Sequence, residues 1–226
     1  MIVFDIETGP LDEATILANT PAFDKADVKL GNLADPEKIA RKLEDAEREH
    51  RLEAIGKASL SPLTGCVVAI GYMGVGEAPD PPRIAGAFRE GRGGLTELEM
   101  LDEFWRVYSW AREGKKALVG FNSHSFDVPF LVRRSWIVGS LVPPNLTYRN
   151  RYFNPPLLDL REMWSCGEFQ AKGSLDSICR ACGLGQKNGE GKDFVRLWNE
   201  DPPRAIEYLQ NDLQMTSKLA LRMGVG

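Results

Sequence analysis

Cysteine is scarce in this chain. Four residues in 226 (Cys66, Cys166, Cys179 and Cys182) are too few for a disulfide framework. A reducing, cytoplasmic setting is the expectation. Cys179-x-x-Cys182 lacks the two further ligands that a zinc site needs; only Cys66, Cys166 and the distant His50 and His124 remain to supply them. These cysteines therefore read as buried thiols. Long apolar runs are also missing. The longest uncharged apolar stretch, Cys66 to Gly76, falls short of the ~20 residues that span a bilayer, so no membrane partner is expected. MIVFDIETGP has no basic segment and meets an acid at Asp5, so it does not read as a secretory signal. Positive charge is not in excess: 28 Lys and Arg against 32 Asp and Glu give a net charge of −4. That excludes a generally basic nucleic-acid coat but leaves room for a local groove. Internal repeats and low-complexity tracts are absent. With 27% charged and 43% hydrophobic residues, the chain suits a folded domain with an ample core.

Met1 to Phe4 is an apolar run that reads as a strand, followed by Asp-Ile-Glu and the breaker Gly9-Pro10. Residues 11–60 differ in character, with 11 acidic and 8 basic residues and few large apolar ones. Asp35-Pro36 supplies an N-cap and a proline for the first helical position. Ile39, Leu43, Ala46 and His50 then recur at helical spacing, and Glu44–Arg48 and Glu47–Arg51 are candidate i,i+4 pairs. This region is expected to be a helical insertion or lid within one domain that spans residues 1–226.

Further on, Cys66 to Gly74 is a buried-strand candidate, with Arg83 to Phe88 as its hairpin partner. Thr96 to Arg112 is an amphipathic helix whose aromatics suit a core. Ala117 to Phe121 is a strand, and a helix starts near Asp127 and runs to about Val138, with Pro129 in its first turn. Leu157 to Leu160 is a short strand or strand end, Ser174 to Cys182 a helix, and Asp201-Pro202 opens a last helix to about Met223. The element order predicts an α/β protein with a mixed central sheet, part meander and part parallel, and flanking helices.

Three short segments carry the chemistry. In Asp5-x-Glu7 the two carboxylates point to one face of a strand. Like charges held so close repel unless a hard cation joins them, and Mg²⁺ and Mn²⁺ take such oxygen ligands. In NSHSFDVPFL (122–131) Asp127 follows a strand and begins a helix, where it would also serve simply as a first-turn acid. In Tyr208-x-x-x-Asp212 a phenol and a carboxylate share one helix face. Each segment alone is compatible with a solvated acid or an ordinary amphipathic helix. Together, in this order and placement, they are far more specific.

On these residues the chain resembles the Asp-Glu-Asp-Asp (DEDD) superfamily of 3′→5′ exonucleases, in the branch with tyrosine in its third motif (DEDDy). It is similar to the proofreading exonuclease domains of family-B DNA polymerases and their stand-alone relatives. VFDIET matches the first motif, NSHSFDVPFL the second and YLQND the third; SLDSICRACGLGQKNGEGKDF resembles the stretch before the third. The histidine branch places His five residues before the last Asp, where this chain has Glu207. The resemblance implies a ribonuclease H-like fold and two divalent ions, Mg²⁺ or Mn²⁺. Asp5 would bridge both ions, Glu7 and Asp212 would complete the ion that activates water, and Asp127 would hold the second mainly through water. Tyr208 would position the attacking water, since a phenol with an ordinary pKa near 10 is a poor base. Thr8, Asn122, Phe126 and Lys187 are the expected substrate contacts. The implied partner is single-stranded DNA, digested to nucleoside 5′-monophosphates, with a polymerase or repair protein as a further candidate partner.

Residues 131–196 carry ten Lys or Arg against six Asp or Glu. Arg133, Arg134, Arg149, Arg151, Lys187 and Lys192 are phosphate-contact candidates there, each also readable as a solvated charge. His124 stands in the second motif, as a site-lining group or a plain loop residue. Two other readings stay open: an exoribonuclease, because no motif specifies the sugar, and a non-catalytic nucleic-acid-binding module of the same fold.

Overall fold

Alternation along the first strand sets the architecture. In the computed structural model, which describes residues 1–75, 83–86, 94–144, 146, 156–168 and 171–225, β1 (Ile2–Pro10) sends Phe4 and Ile6 into one apolar cluster and Val3 into another. By the same period of two, Asp5 and Glu7 share the face of Val3. The strand does not break at Gly9-Pro10 as the sequence suggested. It ends on Pro10, a terminal position where the missing N–H costs little.

The chain divides into two units, one formed by Met1–Glu7 with Val67–Gly226 and the other by Thr8–Cys66. The first is built on a five-stranded sheet in the order β3-β2-β1-β4-β5. Here β2 is Gly65–Gly74, β3 Arg83–Gly86, β4 Leu118–Gly120 and β5 Leu157–Asp159. β2 and β3 are antiparallel, with Ala69 opposite Gly86. β1 with β4, and β4 with β5, are parallel; Val3 lies opposite Val119 and Gly120 opposite Asp159. The sheet is therefore mixed; β4 and β5 end together, one residue past the Val3–Val119 pair, while β1 runs on through its acids to Pro10.

Helices pack in two apolar clusters. α3 (Glu97–Glu113) and α4 (Asp127–Val138) build the one that holds Phe4 and Ile6, with Phe104, Trp105 and Tyr108 buried in it. α5 (Leu160–Ser165), α6 (Leu175–Ala181), α7 (Phe194–Glu200) and α8 (Pro202–Arg222) build the one that holds Val3. Approach of α8 to the sheet depends on Gly71, where an added Cβ would lie 2.6 Å from Leu213 Cδ1 and 3.1 Å from Leu209 Cγ. Local signals fix the helix starts. Thr96 and Glu99 form a capping box for α3, and Asp201 accepts from the Arg204 N–H ahead of Pro202 for α8. No helix among the described residues is long and apolar enough to cross a membrane.

The Thr8–Cys66 unit holds α1 (Glu13–Ala18) and the long α2 (Pro36–Lys57), which buries no residue fully. Asp35 caps α2 through the N–H groups of Glu37 and Lys38. The expected Glu44–Arg48 and Glu47–Arg51 pairs give way to others: Arg48 turns to Asp45 at 2.8 Å, and Arg51 Nε reaches Glu13 on α1 at 2.6 Å. Phe23 packs on His50, with ring centroids 5.8 Å apart.

Candidate active site

Three elements converge on one spot. Asp5 and Glu7 come from β1, on the face that packs against α8. From α8, Tyr208 and Asp212 point back at that face, because residues four apart lie one above the other. Carboxylate oxygens of Asp5, Glu7 and Asp212 lie within 4.8 Å of one another. Asp127 joins from the first turn of α4; its Oδ1 accepts the Ile6 N–H at 3.3 Å, between the two acids of β1. Glu7, Asp127, Tyr208 and Asp212 are all buried.

Burial dominates the electrostatics. Desolvation raises Asp5 well above the ordinary carboxylate range, and the charges of Asp127 and Asp212 push the same way. Glu7 is raised by burial and then by Asp5. Asp127 is pushed up to about 7, chiefly by burial, against the pull of its backbone hydrogen bonds. Asp212 is raised by burial despite the opposing charge of Lys187. A cluster this crowded with negative charge calls for a cation.

One cation is supplied by the chain. Lys187 Nζ pairs with Asp212 Oδ2 and donates to the Tyr208 hydroxyl at 3.2 Å. Burial alone would lower this lysine, but Asp212 outweighs it and holds the amine protonated. Burial, Asp212 and Glu7 raise the Tyr208 phenol, so it stays protonated and serves as a donor. The loop beyond Lys187 lies on Tyr208: a Cβ added at Gly189 would come within 2.9 Å of its Cδ2. Asp212 Oδ1 is buried without a hydrogen-bond partner among the described residues. A hard oxygen set, an orphaned carboxylate oxygen and an ammonium standing in as counter-charge fit a divalent cation such as Mg²⁺ or Mn²⁺.

The remaining expected contacts are placed differently. Asn122 sits in the β4–α4 loop at a left-handed φ of 61°, a conformation asparagine tolerates, and its Oδ1 accepts from Arg161 Nη1 at 3.4 Å. Phe126 directly precedes Asp127 and packs at a tilt against Phe130, with ring centroids 5.6 Å apart, half-buried against the α3–α4 core. Thr8 belongs to the other unit. Of the phosphate candidates, Arg134 is buried and gripped by Glu97, with bonds of 2.9 and 2.7 Å, so it is a core ion pair rather than a substrate contact. Arg133 and Lys192 are exposed, whereas Arg149 and Arg151 lie outside the described residues.

The sequence did not single out Asp159, Arg161 or Glu162. His124 Nδ1 lies 2.9 Å from Glu162 Oε2, and both line a cleft of about 1100 Å³ with Asn122, Arg161, Lys115 and Lys116. None of the four clustered acids lines that cleft. The only sequence signal was an acid at the junction of a strand and a helix in LLDLRE.

A mixed sheet with the order 3-2-1-4-5, helices in two clusters and acids on its central strand defines a ribonuclease H-like α/β domain with a helical insertion after the first strand. The chain belongs to the family described as a predicted 3′-5′ exonuclease related to the exonuclease domain of PolB, whose model matches residues 90–225. That match takes in Asn122, Asp127, Lys187, Tyr208 and Asp212 but begins after Asp5 and Glu7. Among solved structures, the chain is similar to the family B DNA polymerase from the hyperthermophilic archaeon Pyrobaculum calidifontis, at 19% identity and a TM-score of 0.53. The alignment covers 98% of this chain and 24% of the polymerase, so the chain spans about a quarter of that protein's length. No curated protein matches the chain in sequence.

Proposed function

We propose that the protein is a divalent-cation-dependent 3′→5′ exonuclease that removes nucleotides from single-stranded DNA. The carrying observation is the meeting of Asp5, Glu7 and Asp212 within 4.8 Å, with Asp127 tied to the same strand. Asp5, Glu7, Asp127 and Asp212 would hold Mg²⁺ or Mn²⁺, two ions in all. Such ions, when bound, supply charge neutralisation at the phosphate and a more acidic water.

The chain's own groups do the rest. Tyr208, protonated and fixed beside Asp212, donates to the attacking water and orients it in line with the phosphorus. Lys187 offers a positive charge to the phosphate once its pairing with Asp212 is relieved. Asn122 and Phe126 contact the terminal nucleotide. Attack forms the new P–O bond and breaks the bond to the 3′-oxygen, which leaves as a hydroxyl on the shortened strand. The product is a nucleoside 5′-monophosphate. A strand end whose bases are unpaired is the natural substrate for such a site. Association with a polymerase or a repair protein would supply those ends.

The test uses purified protein with oligonucleotides labelled at either end, with and without Mn²⁺. Early release of the 3′ label as mononucleotide, with a ladder from the 5′-labelled strand, is the expected result. Salt-sensitive binding without turnover would overturn it in favour of a binding module. A matched RNA strand digested faster than DNA would move the substrate class to RNA.

A further inference from the structure

The geometry points to Asp159 as a positioning residue for the substrate side of the site, an inference that rests on the exonuclease reading. Asp159 ends β5, directly opposite Gly120 of β4, and only 3% of it is exposed. Its Oδ1 accepts the N–H of Asn122 at 2.8 Å and that of Arg161 at 2.8 Å. Its Oδ2 accepts the N–H of His124 at 2.9 Å. A helix N-cap would explain the Arg161 bond alone, since Arg161 lies in the first turn of α5. The other two donors come from a loop 35 and 37 residues away.

That loop joins β4 to α4, and its shape is exacting. Asn122 takes a left-handed φ of 61°. Its carbonyl accepts from Ser125 and Phe126, both at 3.1 Å, and Ser123 O accepts from Val128, the second residue of α4, at 2.9 Å. Gly120 allows the close turn, because a Cβ there would lie 2.6 Å from Ser123 Cβ. One buried carboxylate thus clamps two amides of the segment that presents Asn122 and leads into Asp127. Charge-assisted bonds to backbone N–H are among the stronger hydrogen bonds available. Arg161, from the helix that Asp159 caps, orients the Asn122 side chain. His124, Asp159 and Glu162 stand close enough to suggest a metal cluster. Asp159 has already committed both oxygens to three amides, which argues for the clamp instead.

A double-mutant cycle on kcat/KM with a DNA oligonucleotide and Mn²⁺ tests this. Asp159→Asn turns one acceptor into a donor that faces an N–H, and Asn122→Gly removes the side chain while accepting the left-handed φ. If Asp159 acts through Asn122, Asp159→Asn lowers kcat/KM about tenfold alone but less than about twofold in the Asn122→Gly background. Equal losses in both backgrounds with an active wild type overturn this inference alone. An inactive wild type overturns the exonuclease reading and this inference with it. If Asp159→Asn does not fold, as judged by circular dichroism, Asp159→Glu enters the same cycle. Failure of both to fold makes Asp159 a residue of the fold only and ends the proposal.

Discussion

Replacing Asp127 by asparagine should stabilise the metal-free protein while removing its activity. The substitution deletes one charge from the cluster and keeps an acceptor oxygen for the Ile6 N–H. Burial raises Asp127 from 3.8 to about 7. Between about pH 4 and 7 the unfolded chain ionises this carboxyl while the folded chain keeps it protonated. Stability therefore falls as pH rises through that window and levels off above about 7. At pH 8 the full gap is worth about 4 kcal/mol, and at pH 5 about 2 kcal/mol. The first figure is a ceiling, because the Asp127 charge also raises Asp5, so the cost is shared between them. Asparagine carries no such cost at any pH. In chelator, Asp127→Asn should melt higher than wild type by on the order of 10 °C at pH 8, with roughly half that gain at pH 5. Thermal denaturation followed by circular dichroism reads both values. An equal or lower melting temperature at pH 8, or a gain that does not shrink at pH 5, would refute the reasoning.

Asp5→Ala and Asp212→Asn should each abolish turnover in a protein whose far-ultraviolet circular dichroism is unchanged; near-wild-type activity in either removes that residue from the mechanism. Tyr208→Phe deletes one donor and should slow kcat on the order of 10²-fold without abolishing it, a split that single-turnover kinetics on labelled DNA resolves. Gly189→Ala places a methyl group within 2.9 Å of Tyr208 Cδ2. Turnover should drop about tenfold with little change in melting temperature, and unchanged turnover would show that the loop does not hold the phenol.

Much of this arrangement was readable in the chain because its signals are local. Asp127 could be placed at a helix start from the preceding apolar run and Pro129 in the first turn, and α4 runs over Asp127–Val138. Tyr208 and Asp212 could be put on one face from their spacing alone. What escaped reading depends on distant partners. β1 continues to Pro10, well beyond its pairing with β4 at Ile2 and Val3, which no residue near Gly9 announces. α5 and α7 are six and seven residues long, under two turns and too short for a periodic pattern to emerge. Arg134 looked like a surface charge because Glu97, its partner, lies 37 residues earlier. The pairing of Lys187 with Asp212 is not announced by its charge, because it depends on a loop that packs over Tyr208 where residue 189 lacks a side chain. Asp159 could not be weighed at all without the strand register that sets it against the β4–α4 loop.

Diffraction from crystals soaked in Mn²⁺, collected where manganese scatters anomalously, reads the metal positions directly. The account predicts an anomalous peak within bonding distance of oxygens from Asp5, Glu7 and Asp212, with Lys187 turned away from Asp212. Manganese bound only elsewhere, with the Lys187–Asp212 pair intact at saturating metal, would contradict it.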